Sequence, residues 1–326
     1  SVYTSPIVPE AIKIARQLRG QTHLVAGGHH ATHMPETLLP YFDTVVLGEG
    51  ENNFKKAHRN GIIQPDTPDL TILNPPVGDI SQYGMTMDGK RTGTIITSRG
   101  CPYHCAFCGK LEDKVRLHNV EDVATEVEAY KKAGFEAIYF LDDVFTLYDH
   151  RMKTIVENMD MPFRITTRAN LVNPKKLEIL AKEGCEWMSL GIESGDDWVL
   201  RRSNKGMTTE DNYKAVMWAG EQGIKTKGFF ILGLPGETET TARKTINFAH
   251  TLKDVGLQQA DFYYLMPFPG TPIWNDPDKF GITIRDMDYT KYLEAGKGAH
   301  CVVDTDELKA ERIEELVMEA KEIWKK

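Results

Sequence analysis

Residues 98–108 read Ser98-Arg99-Gly100-Cys101-Pro102-Tyr103-His104-Cys105-Ala106-Phe107-Cys108, three cysteines within eight positions, directly after an apolar, β-branched run at 93–97. Three thiolates on one short loop can hold three corners of a [4Fe–4S] cluster and leave one iron open to an outside ligand. The same triplet with His104 would make a Cys₃His zinc site, and the chain would then be a non-catalytic zinc-binding protein. Zinc sites, however, favour paired C-x₂-C spacings. The preceding strand matters as much as the cysteines, because chemistry in parallel α/β sheets collects beyond the C-terminal ends of the strands.

Outward from the triplet the chain alternates. Apolar runs at 137–141, 163–167, 187–191, 226–232 and 261–266 read as buried parallel strands. Between them lie amphipathic, helix-length stretches at 120–133, 150–158, 174–183, 209–222 and 239–255. Asn119 and Thr208 stand where N-caps belong, and Gly134 and Gly184 where helices stop. With 93–97 this makes six βα units over 92–272, fewer than a closed eight-fold barrel uses. The fold class is therefore α/β, a partial (βα)₆ TIM-like barrel.

Upstream, residues 1–60 read as the C-terminal half of a Rossmann-like domain. The expected elements are a short strand at 2–4, a helix at 9–18, a strand at 23–26 running into Gly27-Gly28, a short helix at 35–41 and a strand at 44–47. Residues 61–91, with Pro65, Pro68, Pro75 and Pro76, read as a linker. Residues 273–326 form a C-terminal extension that closes with a charged helix at 310–326. The chain opens on Ser1 rather than Met, and the expectation is a longer native product whose upstream part completes the first domain.

The 326 residues are 41% hydrophobic and 26% charged with a net charge of −8, a globular profile without the basic stripe that a nucleic-acid backbone demands. No apolar run approaches the roughly 20 residues of a membrane span, and the N-terminus has no signal-peptide pattern. Five cysteines, an odd number with three clustered, point to a reducing, cytoplasmic setting and a metal site rather than a disulfide framework. Cys185 and Cys301 are too scattered to hold a second cluster.

The CxxxCxxC spacing after the first strand of a (βα)₆ pattern resembles the radical S-adenosylmethionine superfamily over about residues 92–272. The resemblance implies that the open iron chelates S-adenosylmethionine, that one electron cleaves it to a 5′-deoxyadenosyl radical, and that the substrate is a small molecule. It also implies an external electron donor of flavodoxin or ferredoxin type. By the same resemblance Phe107 packs near the adenine, Asp142 or Asp143 receives the methionyl ammonium, and Arg168 pairs with the carboxylate. Glu193, followed by Ser194, contacts ribose hydroxyls or the amine, and the backbone at Gly233 approaches the adenine. From the residues alone, the two aspartates also read as loop caps, and Arg168 and Glu193 as surface ion pairs.

Gly191-Ile192-Glu193-Ser194-Gly195 and Gly233-Leu234-Pro235-Gly236-Glu237-Thr238 resemble most closely the cobalamin-binding branch, and so does Gly27-Gly28-His29-His30-Ala31-Thr32. That branch implies cobalamin, with Gly27 and Gly28 meeting its nucleotide tail. It also implies methyl transfer to an unactivated carbon, or ring formation as in anaerobic magnesium-protoporphyrin ester cyclases. The Asp-x-His-x-x-Gly loop of many cobalamin domains does not occur here. A chain of this length is accordingly expected to bind cobalamin weakly or not at all, and a radical enzyme that does without cobalamin is the alternative. His29, His30 and His33 read as residues lining a turn rather than as metal ligands.

Overall fold

The computed structural model describes residues 5–53, 56–65, 70, 84–110, 113–288, 292 and 300–325. The strand expected at 2–4 lies outside them. A small parallel sheet comes first, from β1 (Val25–Gly27), β2 (Thr44–Val46) and β3 (Gly61–Ile63), in that order. Helix α1 (Val8–Leu18) and the short α2 (His29–His33) cover it, and Val8, Ala26, Ala31, Leu38 and Val45 form its core.

The stretch 61–91 departs from the expected linker at both ends. Gly61–Ile63 pairs in register with Thr44–Val46, because the free edge of β2 needs hydrogen-bond partners. At the other end β4 (Thr86–Met87) makes a hairpin with β5 (Lys90–Ile95) across Asp88 and Gly89, both at positive φ, a turn that the prolines upstream mask in the sequence.

The chain then forms the short β6 (Ser98–Arg99) and β7 (Arg116–Leu117), an antiparallel pair bracketing the cysteine loop. The expected alternation follows: α3 (Val120–Lys132), β8 (Ala137–Phe140), α4 (Asp149–Val156), β9 (Phe163–Thr167), α5 (Pro174–Lys182), β10 (Cys185–Glu193), α6 (Asp197–Arg202), α7 (Thr209–Glu221), β11 (Lys225–Leu232), α8 (Glu239–Asp254) and β12 (Leu257–Tyr264). Beyond them lie α9 (Pro272–Asn275), the antiparallel pair β13 (Ile282–Ile284) and β14 (Val303–Thr305), and α10 (Ala310–Lys325). The large sheet runs β12-β11-β10-β9-β8-β5-β4, six parallel strands in chain order with β4 antiparallel at one edge. Thr208 and Thr238 close capping boxes at α7 and α8. Asn119 stands at the N-cap of α3 without a side-chain cap bond.

The strands are not apolar on both faces. Ile138, Phe140, Phe163, Ile165, Met188, Leu190, Phe230 and Phe262 pack completely buried under the helices, each large side chain worth about 1.5–3 kcal/mol. The opposite, inner face carries Tyr139, Arg164, Thr166, Ser189, Lys227, Asp261 and Tyr263, which meet one another across neighbouring strands. A polar inner wall suits a half-open barrel that takes a ligand, where a closed one would be packed with branched apolar side chains.

Candidate active site

The cysteine loop is fixed from three directions. The Ala106 amide donates to the Ser203 carbonyl at 2.9 Å, and the Asn204 side-chain amide to the His104 carbonyl at 2.7 Å. The Ile273 amide, on α9, donates to the Ala106 carbonyl at 3.1 Å. Lys110 Nζ closes the loop on itself through the carbonyls of Cys101 (2.8 Å) and Tyr103. From the small sheet His29 Nε2 donates to the Gly109 carbonyl.

The three thiols share this loop and influence one another. Cys105 is buried and Cys101 partly so. Burial foremost, and then Asp143 and Cys105, raise the Cys101 thiol, against a hydrogen bond from the Tyr103 backbone and the pull of Arg168. Cys108 keeps surface open to solvent, yet the protein packed around it, followed by Cys105, Cys101 and Asp143, pushes its thiol up to about 11. His104 does not complete a Cys₃His set, because its exposed ring turns to Lys110 (3.2 Å) and Asp113 (3.6 Å). Among the described residues no three His, Cys, Asp or Glu side chains are gathered as they stand to hold a metal ion. Three sulfurs on one loop with no fourth protein ligand is the donor set of a cluster that keeps one iron open.

Arg168, just past β9, is 5% exposed. Its guanidinium carbon lies 3.8 Å from the centre of the Tyr103 ring, Nη1 donates to Cys105 Sγ at 3.5 Å, and Nη2 donates to the Lys205 carbonyl. Among the described residues no carboxylate pairs with it, so the surface ion pair drops out.

Glu193 ends β10 at a φ of 66°, where the β10–β11 register shifts. Oε1 meets Lys205 Nζ at 2.7 Å, both side chains nearly buried, and Lys205 stands 5.8 Å over the Phe107 ring. A Cβ on Gly191 would fall 2.5 Å from that Glu193 oxygen and 2.9 Å from the lysine nitrogen, so the glycine makes room for the pair. Phe107 and Glu193 line a cavity of about 310 Å³ whose other walls include Phe229, Ile231, Tyr263 and Phe268.

The two aspartates separate. Asp143 faces the thiols and lines a second cavity of about 230 Å³, bounded also by His29, Glu49, Arg99, Lys110 and Arg116. Asp142, expected as an ammonium ligand, turns away. It is buried and accepts from the Thr97 amide, Thr97 Oγ1 and Ser98 Oγ, each at 2.6 Å, so its lone pairs anchor the chain leading into the cysteine loop.

Ser194 and Gly233 also make contacts within the fold. Ser194 Oγ is fully buried, 3.1 Å from Thr245 Oγ1, and accepts from the Asp196 amide, which ties β10 to α8. Gly233, at a φ of 85°, donates its amide to Glu237, and a Cβ there would meet Ile313 of α10 at 3.1 Å. The missing Cβ thus makes room for α10. Gly27 closes β1, and Gly28, at a φ of 111°, starts α2, where Thr32 Oγ1 receives the Gly48 amide at 2.9 Å. His30 is held between Ser5 and Thr37, and His29 and His33 pack against Gly109 and Gly270. Sequence reasoning missed Lys205. It stands in an irregular segment between Asn204 and Gly206, both at positive φ, where no periodicity marks a side chain as buried.

Residues 95–249 match the sequence model of the Radical SAM superfamily. The chain therefore carries a radical SAM domain. It is 32% identical over 298 residues to an uncharacterized methyltransferase of Pyrococcus horikoshii, which covers 80% of this chain and 64% of that one. An anaerobic magnesium-protoporphyrin IX monomethyl ester cyclase of Rubrivivax gelatinosus is 27% identical, over 86% of this chain and 57% of its own length. A bacteriochlorophyllide d C-12(1)-methyltransferase of Chlorobaculum tepidum is 26% identical, over 86% and 65%. The chain thus spans less than two thirds of the length of these relatives. Among solved structures, the radical S-adenosylmethionine methyltransferase TsrM of Kitasatospora setae, with cobalamin and a [4Fe–4S] cluster bound, superposes with a TM-score of 0.73 at 20% identity. The match covers 88% of this chain and 68% of that one, and it places the radical SAM half-barrel in the same fold.

Proposed function

We propose that this radical SAM chain works in a cobalamin-dependent enzyme that transfers a methyl group to, or closes a ring at, an unactivated carbon of a small molecule. The observation that carries the reading is the convergence around one three-cysteine loop of Arg168, which has no carboxylate partner among the described residues, of Asp143 and of the buried Glu193–Lys205 pair. Cys101, Cys105 and Cys108 would hold the [4Fe–4S] cluster, which when bound supplies the electron for reductive cleavage of S-adenosylmethionine. Arg168 offers a forked donor to the methionyl carboxylate, and Asp143 an acceptor to the ammonium. Glu193, fixed by Lys205, is available to the ribose hydroxyls, and Phe107 and Ile231 form an apolar wall for the adenine. Tyr263 and Phe268 on the same cavity help to exclude water.

Cobalamin is supported by the cobalamin-bound neighbour of like fold and by the second cavity between the small sheet and the barrel rim. An external flavodoxin- or ferredoxin-type protein would deliver the electron, and the free thiols suit a reducing cytoplasm. No helix among the described residues is long and apolar enough to cross a membrane. The test is anaerobic reconstitution with iron and sulfide, followed by S-adenosylmethionine and dithionite. A brown protein absorbing near ~400 nm that releases 5′-deoxyadenosine is expected. A colourless, zinc-loaded protein that leaves S-adenosylmethionine intact would overturn the reading.

A further inference from the structure

Along β9 the inward positions are Arg164, Thr166 and, just past the strand, Arg168. Arg168 belongs to the rim. Arg164 lies four residues back on extended backbone, roughly 13 Å deeper. It stands in register with Tyr139 on one side and Trp187 on the other. Its guanidinium carbon sits 4.3 Å from the centre of the Tyr139 ring, and Nη2 donates to Ser189 Oγ at 3.0 Å. Tyr139 is itself held by Thr166 at 3.0 Å. The Nε–H is buried and has no acceptor, and among the described residues no carboxylate pairs with the group.

The lysines around the same wall are all neutralised. Lys227 meets Asp261 at 2.7 Å, Lys225 meets Asp88 at 2.7 Å, Lys90 meets Glu186 at 2.6 Å and Lys205 meets Glu193 at 2.7 Å. Below the rim Arg164 is therefore left, half-buried, clamped against a ring and a hydroxyl, with donors and no counter-charge among the described residues. Withdrawing such a charge from water is unfavourable unless an anion meets it, and packing against Tyr139 and Ser189 does not require an arginine.

We propose that Arg164 binds a carboxylate of the substrate, so that the molecule acted on is a small carboxylic acid lying with its acid group deep in the barrel and its reacting carbon toward the cysteine loop. A single uncompensated positive charge suits a monoanion better than a phosphate dianion, and the planar fork of arginine matches two carboxylate oxygens. The proposal rests on the reading of the barrel as a radical site.

The two can be tested separately. The full chain would be titrated with a panel of fluorinated aliphatic and aromatic carboxylates and their neutral amides, followed by ¹⁹F line broadening. At least one acid should bind about tenfold or more tighter than its amide. Arg164→Gln should abolish that preference, and Arg164→Lys, which keeps the charge and loses the fork, should restore part of it. Acids and amides binding alike on the unmodified chain, or none binding, would overturn the proposal whether or not the variants fold. So would a preference that survives in Arg164→Gln. Release of 5′-deoxyadenosine by the reconstituted unmodified chain is read in parallel. Its failure would sink the radical reading, whereas its success without acid preference would sink only the assignment of Arg164.

Discussion

At the scale of single residues, the cysteines divide by position rather than by chemistry. Cys101, Cys105 and Cys108 share one loop, whereas burial pushes Cys301 up to about 12 and holds Cys185 higher still, so both behave as small apolar side chains. Alanine at Cys105 should reduce the iron bound after anaerobic reconstitution well below four per chain, and alanine at Cys185 should leave it unchanged. Iron retained in full by Cys105→Ala would remove the cluster assignment. Lys205 makes a second case. Replacing it with Met strands the Glu193 carboxylate in a nearly dry site, and losing one partner of a buried pair costs about 3–5 kcal/mol. Chemical denaturation should show that loss, with a smaller one when Glu193 is made Gln in the same chain. The triplet was legible from spacing alone, because sequence-local ligands need no knowledge of the fold. Lys205 was not, because its burial depends on a glutamate twelve positions away on a different element.

At the scale of elements, the six parallel strands and their helices were readable because each strand's buried face and each helix's stripe is a local pattern. Which of two adjacent residues faces a site was not. Asp142 and Asp143 differ only in pleat, and Thr97 and Ser98, 45 and 44 positions back, decide between them. Glu237 shows how the loop after β11 adds a pH dependence. The side chain is fully buried, accepts from the Gly233 amide and has one unsatisfied oxygen, and burial raises it to about 8, against an ordinary value of 4.5. A carboxyl raised on folding holds its proton in the native chain after the unfolded chain has lost it. Its effect on stability is therefore unfavourable with rising pH, from about 4.5 up to about 8, at up to ~1.4 kcal/mol per pH unit. Urea midpoints of Glu237→Gln and of the unmodified chain should diverge across that window, with the variant the less pH-dependent. Parallel pH curves would show that Glu237 stays ionised in the fold.

At the scale of the whole molecule, the small sheet is tied to the barrel by a compact charge cluster beside the second cavity. Glu49 Oε1 meets Arg99 and Arg116, each at 2.7 Å, and Glu51 reaches Arg99 at 2.8 Å. Glu49, Arg99 and Arg116 are each more than four-fifths buried as side chains, so salt screens this cluster far less than it would an exposed pair. Nothing local in the sequence around Glu49 says that it faces arginines 50 and 67 positions later, on either side of the cysteine loop. Because Arg99 and Arg116 belong to the two strands that bracket that loop, seating the small sheet and shaping the cluster site become one event. Glu49→Gln keeps the volume and removes the charge on which both arginines converge, an effect on the order of 3–5 kcal/mol for a pair this buried. The loss should fall on docking rather than on the barrel core. Amide exchange should accelerate in α2, at Gly109 and across β6 and β7, while β9 to β12 keep their protection. Exchange that rises uniformly would mean the cluster supports the global fold. Exchange unchanged at α2 and Gly109 would mean that the His29 and His33 contacts alone seat the small sheet.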